Sequence, residues 1–156
     1  MAANRADAPL EVRAFPGSGN PAHLLPPRNG DVAPFWDGLR DGRLTLQRCR
    51  ACGRARFPVA PVCPHCKGRN SDWQALSGSG TVHSWIRYHR GYLPEFEPLM
   101  PYAVLCVALE EGPRMFGRLV AEPAAPDPWI GMPVRAIVER CDGGECVLAF
   151  ADASGS

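Results

Sequence analysis

Runs of apolar, β-branched and aromatic residues that are typical of β-strands follow one another through the second half of the chain. Five such runs follow residue 76, and turns that contain Pro, Gly or acidic residues separate them. The runs are GTVHSWIRYHR, YAVLCVALE, RMFGRLV, PVRAIVER and CVLAFA. Five short strands with no helical pattern between most of them predict a small closed or partly open barrel over residues 77–156. The five-stranded OB-fold is the obvious candidate for that barrel.

A helical period appears earlier, in the segment DVAPFWDGLRDG that begins at residue 31. Asp31 is a suitable capping residue, and the apolar residues after it fall on one side of a helix. They are Val32, Phe35, Trp36 and Leu39. This aromatic face either packs against the module that follows or docks against another protein. The predicted fold class is therefore mainly β with a short N-terminal helix.

Residues 1–30 are rich in Pro, Ala and polar residues, and we predict a disordered leader there because such a segment buries too little apolar surface to fold. It has no basic start followed by an apolar run, so we expect no secretory signal. No run approaches eighteen apolar residues, so we expect no membrane span. These features together predict a protein of the reducing cytoplasm.

The strands RLTLQRC and ARFPV flank the first of two Cys-x-x-Cys pairs, Cys49–Cys52 and Cys63–Cys66. Four thiols so placed indicate a disulfide staple, a redox site or a metal site. Structural disulfides are rare in the cytoplasm, and seven cysteines cannot all pair internally. Redox pairs usually begin a helix, whereas Gly53 and Pro64 indicate turns.

Two turns that face each other can present four sulfurs to one ion, which is the geometry of a structural zinc site. We therefore predict a metal site formed by Cys49, Cys52, Cys63 and Cys66 within a module of residues 31–76. Iron fits four thiolates as well. The remaining thiol of interest, Cys106, lies in the apolar run AVLCVAL and is predicted to be buried.

The net charge of +1 is unevenly spread along the chain. Residues 1–91 hold 13 basic and 6 acidic side chains, whereas residues 92–156 hold 4 and 10. The basic residues around the cysteines are Arg43, Arg48, Arg50, Arg54, Arg56, Lys67 and Arg69. They either attract phosphates or offset the formal charge of −2 on a divalent ion with four thiolates.

One long loop, HRGYLPEFEPLMPY at residues 89–102, interrupts the predicted barrel. It carries Tyr92, Phe96 and Met100, and long apolar loops on small barrels are usually functional. The loop either contacts a binding partner or packs on itself over the mouth of the barrel.

The segment FWDGLRDGRLTLQRCRACGRARFPVAPVCPHCKG, followed by SGSGTVHSWIRYHR, PYAVLCVALEEGPRMFGRLV and IGMPVRAIVE, resembles the zinc-ribbon/OB-fold family known as domain of unknown function thirty-five. The resemblance covers roughly residues 32–150. It implies a rubredoxin-like zinc ribbon followed by an OB-fold, with the four cysteines above as metal ligands.

The resemblance also implies a function. Members of this family are acyl-CoA-associated accessory partners of a thiolase, a synthase or a lipid-transfer-protein-like aldolase, and they generally lack catalytic machinery of their own. The chain is therefore expected to join a thiolase-fold enzyme in a hetero-oligomer and to help form its acyl-CoA channel. The candidate contacts for the partner or the acyl chain are Phe35, Trp36, Tyr92, Phe96 and Met100.

Two other classes of function stay open at this point. A barrel with aromatic residues and a basic patch can bind single-stranded nucleic acid, although the acidic second half of the chain makes that interpretation less favourable. A rubredoxin-like electron carrier would hold iron instead of zinc.

Overall fold

The computed structural model describes residues 8–26, 30–122 and 125–155. Within these ranges the chain forms one short α-helix, α1 (Ala33–Arg40), three 3-10 turns (Pro21–Leu24, Gly30–Val32 and Pro94–Leu99) and two β-sheets. The strands are β1 (Glu11–Ala14), β2 (Thr45–Cys49), β3 (Ala55–Arg56), β4 (Ser71–Ala75), β5 (Ser79–Tyr88), β6 (Tyr102–Leu109), β7 (Arg114–Leu119), β8 (Pro133–Arg140) and β9 (Cys146–Asp152). The prediction of a mainly β protein with a short N-terminal helix is confirmed.

Strands β5 to β9 close into a barrel. Antiparallel pairing joins β5 to β6, β6 to β7 and β8 to β9, while β7 and β9 pair in parallel through Arg118 and Leu119. The barrel closes where Ser79–Thr81 pair with the start of β8. This connectivity is the five-stranded Greek-key barrel of the OB-fold, so that prediction is also confirmed.

The interior of the barrel follows from the alternation along its strands. On β6 the side chains of Ala103, Leu105, Val107 and Leu109 are all buried, as the two-residue period requires. They meet the ring of Phe150, which is fully buried.

The zinc-ribbon module and the barrel share one apolar core. The three-stranded sheet of the module has the order β3–β2–β4. Leu44 and Leu46 of this module cluster with Phe35 and Leu39 of α1 and with the side chains inside the barrel. The helix therefore lies between the ribbon and the barrel and contacts both β2 and β9.

The N-terminal segment differs from the predicted disordered leader. Residues 11–14 form β1, which pairs in parallel with Ile137–Arg140 of β8. The amide of Leu10 donates to the carbonyl of Gly42 at 2.6 Å, and Ser18 donates through its hydroxyl to the carbonyl of Pro94 at 2.8 Å. Backbone pairing with an open stretch of β8 orders a segment whose side chains bury little surface. Residues 1–7 lie outside the described part of the chain.

No helix in the described ranges has both the length and the apolar character needed to cross a bilayer.

We expect β1 to stabilise the barrel measurably. Deletion of residues 1–14 removes the parallel ladder and the Leu10 contact, and each net ladder hydrogen bond contributes about 1 kcal/mol. The free energy of unfolding should fall by about 2 kcal/mol or more in urea titrations. Deletion of residues 1–7 is the matched control and should leave the midpoint unchanged. Equal midpoints for both deletions would show that β1 contributes nothing.

Candidate metal centre

The two Cys-x-x-Cys pairs fold into turns of the same geometry. In the first, the amide of Gly53 donates to the carbonyl of Cys49 at 2.8 Å, and in the second the amide of Lys67 donates to the carbonyl of Cys63 at 3.0 Å. Gly53 and Lys67 both adopt a left-handed backbone, with φ of 69° and 63°. A residue other than Gly is uncommon there, so the second turn holds Lys67 in an unfavourable conformation to match the first.

The four sulfur atoms converge on one point. They lie within 4.8 Å of one another, and the Sγ–Sγ distances are 3.5 Å for Cys49–Cys66 and 3.7 Å for Cys52–Cys63. Sulfurs at the corners of a tetrahedron around zinc are about 3.8 Å apart for a Zn–S bond of about 2.3 Å. The donor set therefore fits a tetrahedral metal ion, as the spacing predicted.

Gly68, next to the second turn, leaves room for two of the sulfurs because it has no side chain. A Cβ atom on Gly68 would lie 3.3 Å from Cys66 Sγ and 3.4 Å from Cys49 Sγ. The contact with Cys66 is tighter than most real Cβ contacts, and the contact with Cys49 is at the lower limit of ordinary van der Waals contact. Gly68 also accepts a hydrogen bond from the amide of Cys63 at 2.9 Å, which closes the turn.

Backbone amides prepare part of this donor set for a cation. The amide of Cys66, with that of His65, donates to the Cys63 sulfur and lowers its pKa to about 6. The amides of Cys52 and Ala51 lower the pKa of Cys49 in the same way. The amide of Gly68 favours the Cys66 thiolate, but the neighbouring sulfurs outweigh it and raise the pKa of Cys66 to about 11. A metal ion would remove this mutual repulsion, and its binding would release protons.

The basic residues around the centre have mixed roles. Arg50 forms an exposed ion pair with Asp72, and Arg48 donates to the carbonyl of Gly53 at 2.7 Å. Arg54 and His65 lie on the exposed side of the turns, 3.0 Å apart. These contacts brace the two turns from outside. Neither the attraction of phosphates nor the offset of the thiolate charge accounts for all the basic residues of this patch.

The five predicted contact residues lie in three different environments. Phe35 is buried and packs against Trp36 and Phe57, with ring centroids 5.0 and 5.8 Å apart. Tyr92 is 75% exposed at the tip of the loop, and Met100 is half-buried at its end. Whether these residues contact a partner stays a prediction, and Tyr92 is the one most available for it.

Phe96 belongs to an aromatic cluster on the outer wall of the barrel. Its ring centroid lies 5.6 Å from that of Phe15 and 5.7 Å from that of Tyr102, and Tyr102 stacks on Tyr88 at 5.2 Å. The loop therefore packs partly on itself and on the N-terminal segment, which was one of the two predicted alternatives. Tyr92 and Leu93 remain exposed.

An apolar groove of about 580 Å³ runs along α1. Its lining is almost wholly aliphatic or aromatic and includes Phe35, Trp36, Phe57, Met115, Phe116 and Leu148. Sequence reasoning missed Phe116, which is 68% exposed on β7. The alternation of RMFGRLV would have placed it opposite the buried Met115, on the outside of the barrel.

Loss of one ligand should release the metal. Cys66 is the exposed ligand, so Cys66→Ser removes a metal bond with little change in packing. Purified wild type should carry about one zinc ion per chain and be colourless, whereas the variant should lose most of its zinc and melt at lower temperature. Elemental analysis and thermal unfolding measure both effects.

Cys106→Ser is the matched control, because Cys106 is a buried thiol outside the four-sulfur set. It should keep the full metal content. Full zinc in Cys66→Ser would contradict the four-ligand assignment. A red protein that contains iron would show that the four cysteines bind iron instead of zinc.

Two family models match consecutive parts of this structure. The rubredoxin-like zinc ribbon domain of ChsH2 matches residues 36–72, and the C-terminal OB-fold domain of ChsH2 matches residues 73–139. The first model covers all four cysteines and the second begins within β4.

Individual relatives agree with these models. A DUF35 domain-containing scaffold protein of Methanocaldococcus jannaschii is 35% identical over 128 residues, which cover 79% of this chain and 89% of the relative. The 3-oxo-4,17-pregnadiene-20-carboxyl-CoA hydratase alpha subunit of Mycobacterium tuberculosis is 39% identical over 116 residues, or 74% of this chain. Those residues are 36% of that subunit, so this chain spans about a third of its length.

A solved structure shares the architecture as well. A chain of the Ltp2-ChsH2(DUF35) aldolase superposes with a TM-score of 0.73 at 38% identity, covering 83% of this chain and 99% of that one. The family resemblance inferred from the sequence is confirmed, and the chain belongs to the DUF35 family, with the zinc ribbon and OB-fold of ChsH2.

Proposed function

We propose that the chain is a non-catalytic accessory subunit that binds a thiolase-like enzyme and forms part of its acyl-CoA channel. The observation that carries this proposal is the similarity to the Ltp2-ChsH2(DUF35) aldolase, which extends over 99% of the matched chain of that protein. The scaffold name of the archaeal relative supports the same role.

Two apolar surfaces are suited to such a partner. The groove along α1 combines Trp36 and Phe116, and the loop tip presents Tyr92 and Leu93. Interfaces are enriched in aromatic residues that become buried on association. A partner that covers both surfaces would remove the largest exposed rings on these elements from water.

The proposed ligand is a bulky acyl-CoA shared with the partner. The Mycobacterium tuberculosis relative is named for a steroid acyl-CoA substrate, which supports an acyl group of that class here. The groove has no charged side chain in its lining, so it suits the apolar part of such a ligand rather than its phosphates. The groove would then form one wall of the channel.

A scaffold role accords with the chemistry of the cysteines. The four clustered thiols suit a closed metal site, which leaves no position for a substrate. Cys106 is buried within β6 and is shielded from any thioester. The proposal also keeps the protein in the reducing cytoplasm, where clustered thiols stay available to a metal ion.

Co-expression with a thiolase-like enzyme encoded beside this chain should give a stable complex in size-exclusion chromatography. If Tyr92 is an anchor, Tyr92→Ala should cost about 2 kcal/mol of association, or roughly a thirtyfold rise in Kd. Trp129→Ala, at another exposed aromatic on a different loop, is the control and should leave Kd unchanged. Separate elution of the two wild-type proteins would remove the basis of the proposal.

The isolated chain should not turn over acyl-CoA, whereas the partner alone should be less active than the complex. Adding the purified chain to the partner should restore activity, and Cys106→Ala should restore it equally well because that thiol is buried. A coupled assay for free CoA measures each case. Turnover by the pure chain that disappears in Cys106→Ala would show that the protein is itself an enzyme.

A further inference from the structure

A polar bowl of about 420 Å³ opens on the zinc ribbon beside the metal centre. Three arginines contribute to it, together with one carboxylate and three uncharged polar side chains. The lining comprises Asp31, Gln47, Arg50, Arg56, Pro61, Arg69, Asn70 and Ser71. The bowl belongs to neither of the apolar surfaces assigned to the partner.

Arg56 is the unusual member of this bowl because it is only 3% exposed. Its Nε donates to Gln47 Oε1 at 2.9 Å and its Nη2 donates to Ser71 Oγ at 2.9 Å. Gln47 is held in turn, since its Oε1 also accepts from the amide of Ala60 at 3.1 Å. The guanidinium is therefore fixed in one orientation.

One nitrogen of this fixed guanidinium lacks a hydrogen-bond acceptor. Nη1 of Arg56 is buried and has no hydrogen-bond partner within the described part of the chain. A buried cationic donor without an acceptor is unfavourable, because no hydrogen bond offsets the loss of its contacts with water. Arg56 lines the bowl, so its rigidly held guanidinium lies beside the space that an acceptor from outside would enter.

The other donors of the bowl suit the same acceptor. Ser71 Oγ accepts from Arg56, which leaves its own hydroxyl proton for a ligand. Arg69 is exposed at the rim, and Arg50 keeps donors beyond those it shares with Asp72. Asp31 is the only acidic residue of the lining, so the positive charge of the arginines prevails.

We propose that this bowl binds a phosphate group, with Arg56 and Ser71 at its floor and Arg69 at its rim. Planar guanidinium groups that donate two hydrogen bonds are the preferred protein partners of phosphate. The inference does not rest on the proposed function, because inorganic pyrophosphate alone tests it. If the phosphate is that of CoA, the basic ribbon rather than the acidic barrel half holds the nucleotide end of the shared ligand.

Isothermal titration of the zinc-loaded full chain tests the site, with pyrophosphate, CoA and dephospho-CoA as probes at low ionic strength. Arg69→Gln should weaken pyrophosphate binding about tenfold, the loss expected for a charged hydrogen bond. Asp31→Asn should tighten it, because it removes the one negative charge of the lining. Arg43→Gln, at an exposed arginine outside the bowl, should leave it unchanged.

The pattern across these variants decides the outcome. A preference for CoA over dephospho-CoA that is lost in Arg69→Gln would identify the 3′-phosphate as the occupant, and equal binding of all three probes would identify a general phosphate site. Equal loss in Arg69→Gln and Arg43→Gln, or no heat from wild type at millimolar pyrophosphate, would overturn the proposal. Arg56 would then serve only to offset the charge of the metal centre. Arg69→Gln should still form the complex with the partner enzyme, so failure of the phosphate site and of the proposed function can be told apart.

Discussion

Four sulfurs converge on a single point in the ribbon, and the segment that carries them has few other buried side chains. The sheet of this module consists of two five-residue strands and one two-residue strand. Between Cys49 and Cys66 the only fully buried side chains are those of Arg56 and Cys63. Structural zinc contributes on the order of 10 kcal/mol in small modules, which is enough to replace a missing core. The metal fixes β2, β2 presents Leu46 to α1, and α1 connects the ribbon to the barrel.

These contacts give the proposed scaffold role a structural basis, because they tie the ribbon, the helix and the barrel to one another. The barrel supplies a sheet that closes on itself, and the ribbon fixes the helix that forms one side of the apolar groove. The loop at residues 89–102 is anchored by Leu99 and Phe96 while its tip stays exposed. A buried ion pair between Arg118 and Glu139 lies under the N-terminal segment, and burial raises the pKa of Glu139 despite the nearby guanidinium. The two surfaces proposed to bind a partner thus lie on elements that the core or the metal holds in place.

The parts of this structure that the sequence predicts are those that local patterns determine. Each pair of cysteines sits in a turn of a few residues, and each barrel strand is a β-rich run bounded by turn residues, so both could be located without knowledge of the rest of the chain. Strand β1 could not, because its four residues are all exposed and its partner on β8 lies more than 120 residues away. The hydrogen bonds from Arg56 to Gln47 and Ser71 join three strands, and only the register of these strands brings the side chains together. The groove along α1 likewise needs Phe57 and Phe116, which no local pattern connects.

The metal has a structural role in this interpretation, and function belongs to the surfaces that it holds in position. X-ray absorption at the zinc edge tests this role, measured on the purified protein alone and together with the proposed partner enzyme and an acyl-CoA. A structural site should show four sulfur neighbours at about 2.3 Å in every sample and no change when the thioester is added. Three sulfurs with an oxygen neighbour, or a coordination shell that changes when acyl-CoA binds, would show an open metal site that takes part in chemistry.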